Sequence, residues 1–237
     1  MVNPDLAAAV TRLRMRACWT EVPALLRGED RDFSTLFALA ASAVERCAFT
    51  AAGWDPAGEA LREATEVADS AEERAQVLGE GAFLCYAQTV FDGVDHADDA
   101  RRMLGQAERL IGEHSPLAPL LAFRRGLITE NLDGDHDAAR QFYAQAHQAA
   151  QDAGDELFLS FTYRHFGIVD RKAGRIEQAR YGFTKSLELR EKVGFLIGIA
   201  PALSGLARVS DEPDASRLRN ESRRLVRILG LASRLGQ

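Results

Sequence analysis

The chain has 237 residues, 46% of them hydrophobic and 27% charged, with a net charge of −6. That length suffices for one continuous core, and the composition is that of a soluble globular protein rather than a disordered one. The acidic balance excludes a surface built mainly for nucleic acid, which needs clustered positive charge.

Three cysteines, Cys18, Cys47 and Cys85, are far apart and form no CxxC or Cys/His cluster. They fit reduced helix residues of a cytoplasmic protein better than a disulfide framework. The apolar run Ala7–Val10 is cut off by Arg12, Arg14 and Arg16, so no secretory signal is expected. No run approaches the ~18 apolar residues of a membrane span.

Abundant Ala, Leu, Arg, Glu and Gln, with no period-two alternation, predict helices throughout. Gly and Pro cluster at the turns. A leader helix is predicted over 5–26, with Pro23 near its end. Five hairpins follow over 32–70, 71–112, 116–154, 155–193 and 194–232. In the first, Asp32–Ala51 pairs with Ala57–Ala68; Asp55 is the expected cap and Pro56 the first helical residue. The second joins Ala71–Phe91 to Ala97–Ile111, and the third Leu117–Leu132 to Asp137–Ala153. The fourth joins Asp155–Ala173 to Ile176–Val193. The fifth joins Gly194–Val209 to Asp214–Ala232, with Asp214 as cap and Pro201 delaying or kinking its first helix. Residues 1–4 and 233–237 are expected as loose ends. All connections are short, so a single domain over 1–237 is expected.

The second helices share a pattern: Ala57/Leu61/Ala64, Ala100/Leu104/Ala107, Ala139/Tyr143/Ala146, Ala179/Phe183/Ser186 and, more weakly, Ala215/Arg219/Ser222. The steps are 43, 39, 40 and 36 residues, a period that marks stacked helical repeats. Positions i, i+4 and i+7 share one helix face. Small residues there let two helices approach, and the large one fills the seam.

In the fourth unit Tyr163, Phe166-Gly167, Gly174, Ala179, Phe183 and Ser186 resemble a tetratricopeptide repeat at that family's spacing, with Asp170 standing where the family places an aromatic. The third unit keeps Gly126, Gly134, Ala139, Tyr143 and Ala146. The steps exceed the family's usual length of about 34 and are similar to a longer variant found in sensor and scaffold regions of bacterial regulators. The resemblance implies an all-α fold: a right-handed superhelical array of about five antiparallel hairpins behind the leader helix.

It also implies that the first helices line a concave groove. In the fourth unit the groove residues would be Phe161, Arg164, Ile168 and Arg171, with His165 beside them. Two registers fit the third unit: Phe123, Leu127 and Glu130 in one, Arg124 and Asn131 in the other. The second unit supplies Gln88 and Phe91. Three polar residues occupy positions expected to be apolar: Arg125, His165 and Asp170. An ion pair between Arg125 and Asp170 would satisfy two of them.

The turns with Asp95-His96 and Asp135-His136 contain metal-binding residue types, but their acids stand where helix caps belong. No metal or other cofactor is expected. The arginine-rich last helix reads as a polar terminal cap. No phosphate loop, HExxH, GxSxG or CxxC is present. The leading expectation is a non-enzymatic scaffold or regulatory protein holding a peptide or protein segment in its groove, without direct nucleic-acid or membrane contact. The alternative is the ligand-sensing module of a bacterial transcriptional regulator. A pathway enzyme or accessory factor using Arg164, Glu130 and His165 is the third class. A small molecule or a second copy of the chain completes the partners considered.

Overall fold

The computed structural model describes residues 3–112 and 114–236, and every regular element among them is helical. The chain divides into two compact units, 1–134 and 135–237.

The first unit begins with α1 (Pro4–Arg14) and α2 (Val22–Leu25), joined by a 3-10 turn at Trp19–Glu21. This corrects the single leader helix expected over 5–26. Ala17 adopts a left-handed conformation, with φ 64°, and Cys18 N–H donates back to the Leu13 carbonyl at 3.0 Å, a closure that ends a helix. Trp19 is thereby buried. Its indole N–H donates to Glu45 at 2.9 Å, and Arg14 Nε donates to the same carboxylate at 3.1 Å. Val10, Val22 and Leu26 form the leader's own small core.

Five longer helices complete this unit: α3 (Phe33–Thr50), α4 (Trp54–Glu66), α5 (Ala71–Phe91), α6 (Ala97–Leu110) and α7 (Ala118–Asn131). Helix α3 packs on α4 and α5, and α5 packs on α6 and α7. Each hairpin thus covers the next. The core centres on Leu36, Val44, Cys47, Leu61, Val77 and Leu84. Helix α4 starts earlier than expected, at Trp54 with Gly53 as its cap residue, so Asp55 lies in its first turn instead of capping it. By contrast Ser70 and Glu73 form a reciprocal capping box at the start of α5, satisfying two end N–H groups at once.

The second unit holds α8 (His136–Ala153), α9 (Glu156–Lys172), α10 (Ile176–Val193), α11 (Leu196–Ala207) and α12 (Asp214–Ile228). Here α9 packs on α8, α10 and α11, and α11 packs on α10 and α12. Phe183 of α10 is buried between two glycines. A Cβ on Gly167 of α9 would come within 2.9 Å of its ring, and one on Gly205 of α11 within 2.6 Å. Burying a side chain of this size contributes about 1.5–3 kcal/mol. Pro201 lies inside α11 without ending it. Pro213 occupies the cap position of α12, and Asp214 sits in the first turn and pairs with Arg217 at 2.9 Å. Helix α12 stops before Gly230, whose φ is 64°, short of the expected Ala232.

The ends are ordered where described. Pro4 starts α1, Ser233–Gly236 forms a 3-10 turn, and Gly236 is buried. The expectation of loose ends at Met1, Val2 and Gln237 lies outside the described residues.

The repeated small-large-small faces are the packed faces. Ala57, Leu61, Ala64, Ala100, Leu104, Ala107, Ala139, Tyr143, Ala146, Ala179, Phe183, Ser186, Ala215 and Ser222 are all buried. Arg219 breaks the pattern and stays half-exposed, paired with Glu212.

Candidate functional site

In the first unit the expected groove residues have different environments. Gln88 and Phe91 are half-buried. The Phe91 ring stands edge-on to Tyr86 at 6.2 Å, and Asn131 donates to the Tyr86 hydroxyl at 3.0 Å. Phe123, Leu127 and Glu130 are buried. Arg124 is buried too, ion-paired with Glu80 of α5, and its guanidinium lies 5.5 Å from the Phe83 ring centre. It therefore ties α7 to α5. Arg125 does not pair with Asp170 as the sequence suggested. It forks onto Glu108 of α6, with Nε donating at 3.1 Å.

The second unit presents a more open face. Phe161, Arg164, Ile168 and Arg171 of α9 are all half-buried, whereas Ser160, Thr162, Gly167, Val169 and Asp170 are buried. The helix thus puts one side into the core and leaves the predicted stripe partly open. His165 is buried and packs against Tyr143, the ring centres 4.9 Å apart and the planes tilted by 38°, with its Nε2 3.4 Å from Arg164 Nη1.

Asp170, the departure from the repeat pattern, is satisfied from two sides. Arg140 Nη1 of α8 donates to it at 2.7 Å and Arg175 Nε of the following turn at 2.8 Å. Two guanidinium groups converge on one buried carboxylate, so the ion cluster carries a surplus positive charge. Arg140 also lies 5.2 Å from the Phe166 ring centre.

A cavity of about 410 Å³ opens beside this cluster, lined by Arg140, Tyr163, Phe166, Asp170, Glu177, Gln178, Tyr181 and Gly182. Burial first, and the neighbouring Tyr181 second, raise the pKa of the Tyr163 phenol. His147 stands edge-on to Tyr163 at 4.8 Å and to Phe166 at 5.2 Å. Sequence reasoning missed this cavity because its walls come from three helices and from a different stripe of α9. The one available signal was the spacing of Tyr163 and Phe166, three apart on one face.

Arg190 of α10 was missed as well. It is 2% exposed. Its Nη1 donates to the Gly198 carbonyl at 2.5 Å, and its Nε is 3.4 Å from the Ser160 hydroxyl. Its guanidinium carbon lies 5.4 Å from the Phe161 ring centre and 5.7 Å from that of Phe195. Burial first, and the nearby Arg164 second, push its pKa well below the ordinary arginine value.

Of the two Asp-His turns, the second caps its helix, Asp135 accepting from Ala138 N–H at 2.9 Å. In the first, His96 is the cap residue of α6, and Asp95, one residue before it, accepts from Ala97 N–H at 3.1 Å. Among the described residues no helix is long and apolar enough to cross a membrane.

Within each unit the helices pack on one another through a recurring small-large-small face, and together these elements define an all-helical repeat protein. Residues 122–192, from α7 to α10, match the family model described as tetratricopeptide repeat, which supports a helical-repeat protein of that kind. This segment contains the two units whose residues resemble the family most fully. Among curated proteins no match is found. Tetratricopeptide repeats generally mediate contacts between proteins.

Proposed function

We propose that the chain is a non-enzymatic, cytoplasmic helical-repeat scaffold or regulatory protein that holds a peptide or protein segment along α9. The observation that carries this reading is the half-open stripe Phe161, Arg164, Ile168 and Arg171, which lies inside the segment matched to the family. Two apolar residues alternate with two guanidinium groups over three helical turns, the spacing at which a peptide finds anchors and charge partners on one face. The three free cysteines fit a reducing compartment.

The test is selection of peptides from a displayed random library on the wild-type chain, followed by fluorescence anisotropy with each selected peptide. Arg164→Ala/Arg171→Ala should weaken binding at least tenfold while the helical circular dichroism is kept. Peptides that bind both proteins equally would refute the α9 site.

A second reading, the ligand-sensing module of a bacterial regulator, is favoured by the cavity of about 410 Å³, a size suited to a small molecule. A thermal-shift screen reads it: a compound that stabilises the wild type but not Tyr163→Ala/Tyr181→Ala supports this alternative, because a ligand bound only to the native state raises its stability.

A further inference from the structure

Arg190 fills a position that is apolar in every other repeat. Eleven residues beyond the first alanine of the small-large-small pattern stand Ala68, Ile111, Ala150, Arg190 and Val226. Ala68, Ala150 and Val226 are buried, and Ile111 is half-buried. The position belongs to the face that seals one repeat to the next. An apolar side chain serves there four times, so the arginine in the fourth repeat is not required by the architecture.

Its surroundings do not meet its charge. A guanidinium has five N–H donors, and the two hydrogen bonds Arg190 makes among the described residues go to neutral acceptors, the Gly198 carbonyl and the Ser160 hydroxyl. The rings of Phe161 and Phe195 lie over it. No carboxylate forms an ion pair with it among the described residues, and the charged group that acts on it is a second cation, Arg164. A guanidinium holds its proton at neutral pH, and a buried charge is costly unless it is paired. Arg125, Arg140 and Arg175 each have their carboxylate. Arg190 is more deeply buried than any of them and has none.

We propose that Arg190 and Arg164 together hold an oxyanion, a carboxylate or phosphate group of a bound peptide, at the open face of α9. Arg164 is half-buried on that face, and Phe161, which lies over Arg190, is half-buried beside it. An oxyanion held between the two supplies the missing negative charge and meets donors in the forked geometry that carboxylates and phosphates match. The proposal rests on the peptide-binding reading for the ligand that carries the oxyanion and for the open stripe of α9 as its side; the anion site itself is argued from Arg190.

The experiment titrates the full chain with inorganic phosphate and, separately, with acetate, holding ionic strength constant with chloride. It follows the arginine side-chain N–H resonances and the thermal midpoint. The expected result is a saturable shift of the Arg190 Nε–H signal with a saturable rise in midpoint. Both should disappear in Arg190→Met, and Arg164→Met should weaken them. A response to phosphate alone identifies a phosphorylated group; a response to both anions identifies a carboxylate as well.

The proposal is overturned if the Arg190 signal does not move in either salt, or if wild type and Arg190→Met follow the same midpoint curve. Should Arg190→Met fail to fold, the wild-type resonance titration and Arg164→Met decide the matter. Because this test uses no peptide, an absent anion response alongside peptide binding overturns the oxyanion site alone. A saturable anion response without selected peptides leaves that site standing and removes the peptide reading.

Discussion

Ser186 Oγ of α10 donates a 2.7 Å hydrogen bond to the Ser160 carbonyl of α9, and Ser222 of α12 repeats the bond to the Ala200 carbonyl of α11, also at 2.7 Å. Both hydroxyls occupy the last small position of the repeated face and are fully buried. The small residue therefore allows close approach and also pins the crossing. Ser186→Ala and Ser222→Ala should each cost about 1 kcal/mol, the net value of a hydrogen bond whose acceptor is a helix carbonyl. Urea unfolding of the two single variants and the double variant checks this, and the costs should add because the sites are separate.

Gly182 should be far less tolerant. A Cβ there would lie 2.8 Å from the Tyr163 carbonyl oxygen and 3.0 Å from the Gly167 nitrogen. Both are backbone atoms of α9, so relief requires moving a helix. Gly182→Ala should destabilise the chain by about 2–3 kcal/mol, the usual cost of overpacking a tight core. Gly58→Ala is the matched control, since a Cβ at that helical glycine meets no atom within 4 Å. It should be neutral or slightly stabilising in the same thermal melts.

The contrast between these two glycines shows where the sequence could be read. Helix boundaries and the packed face follow from periodicity, and α5 and α10 begin and end where the pattern places them. The leader helix did not, because its break depends on Trp19 and Arg14 both reaching Glu45, some thirty residues away. The ion pairs were hidden for a similar reason. Arg125 and Asp170 each needed a partner, and a one-dimensional pattern cannot say whether it is Glu108 or Arg140 that lies within reach. Arg190 was legible in principle: extending the Ala179, Phe183, Ser186 stripe by one more turn lands on it. Its lack of a carboxylate was not, since that depends on every neighbouring helix.

Asp170 should behave as the hub of its cluster. Its side chain is 5% exposed, while Arg140 and Arg175 are each 42% exposed. Asp170→Ala leaves two guanidinium groups facing each other without a counter-charge and should cost about 2 kcal/mol, below the 3–5 kcal/mol typical of a fully buried pair because solvent screens the arginines. Arg140→Ala and Arg175→Ala should each cost less than about 1 kcal/mol, since the other arginine remains. The Arg140→Ala/Arg175→Ala double variant should lose more than the sum of the singles. Additive losses would show that the two arginines act independently.

His147 makes the stability of the second unit pH-dependent. Burial lowers its pKa below the ordinary histidine value. Its Nδ1 lies 2.8 Å from Thr162 Oγ1, and that hydroxyl donates its own hydrogen to the Leu159 carbonyl at 3.0 Å. Thr162 serves both neighbours when it accepts from His147 Nδ1–H, so the geometry favours the neutral tautomer with its proton on Nδ1. Nε2 is then the atom that must take the second proton. A folded-state pKa below the unfolded one means that the unfolded chain binds the proton first as pH falls. Stability is thus full above the ordinary histidine pKa of about 6.5, declines as pH drops from there through the lowered folded-state value, and levels off below it. The urea midpoint of the wild type should fall between pH 7.5 and pH 5. His147→Gln can keep a donor to Thr162 but cannot titrate, so its midpoint should fall less over the same range. Parallel midpoint curves for the two proteins would remove His147 as the source of the dependence.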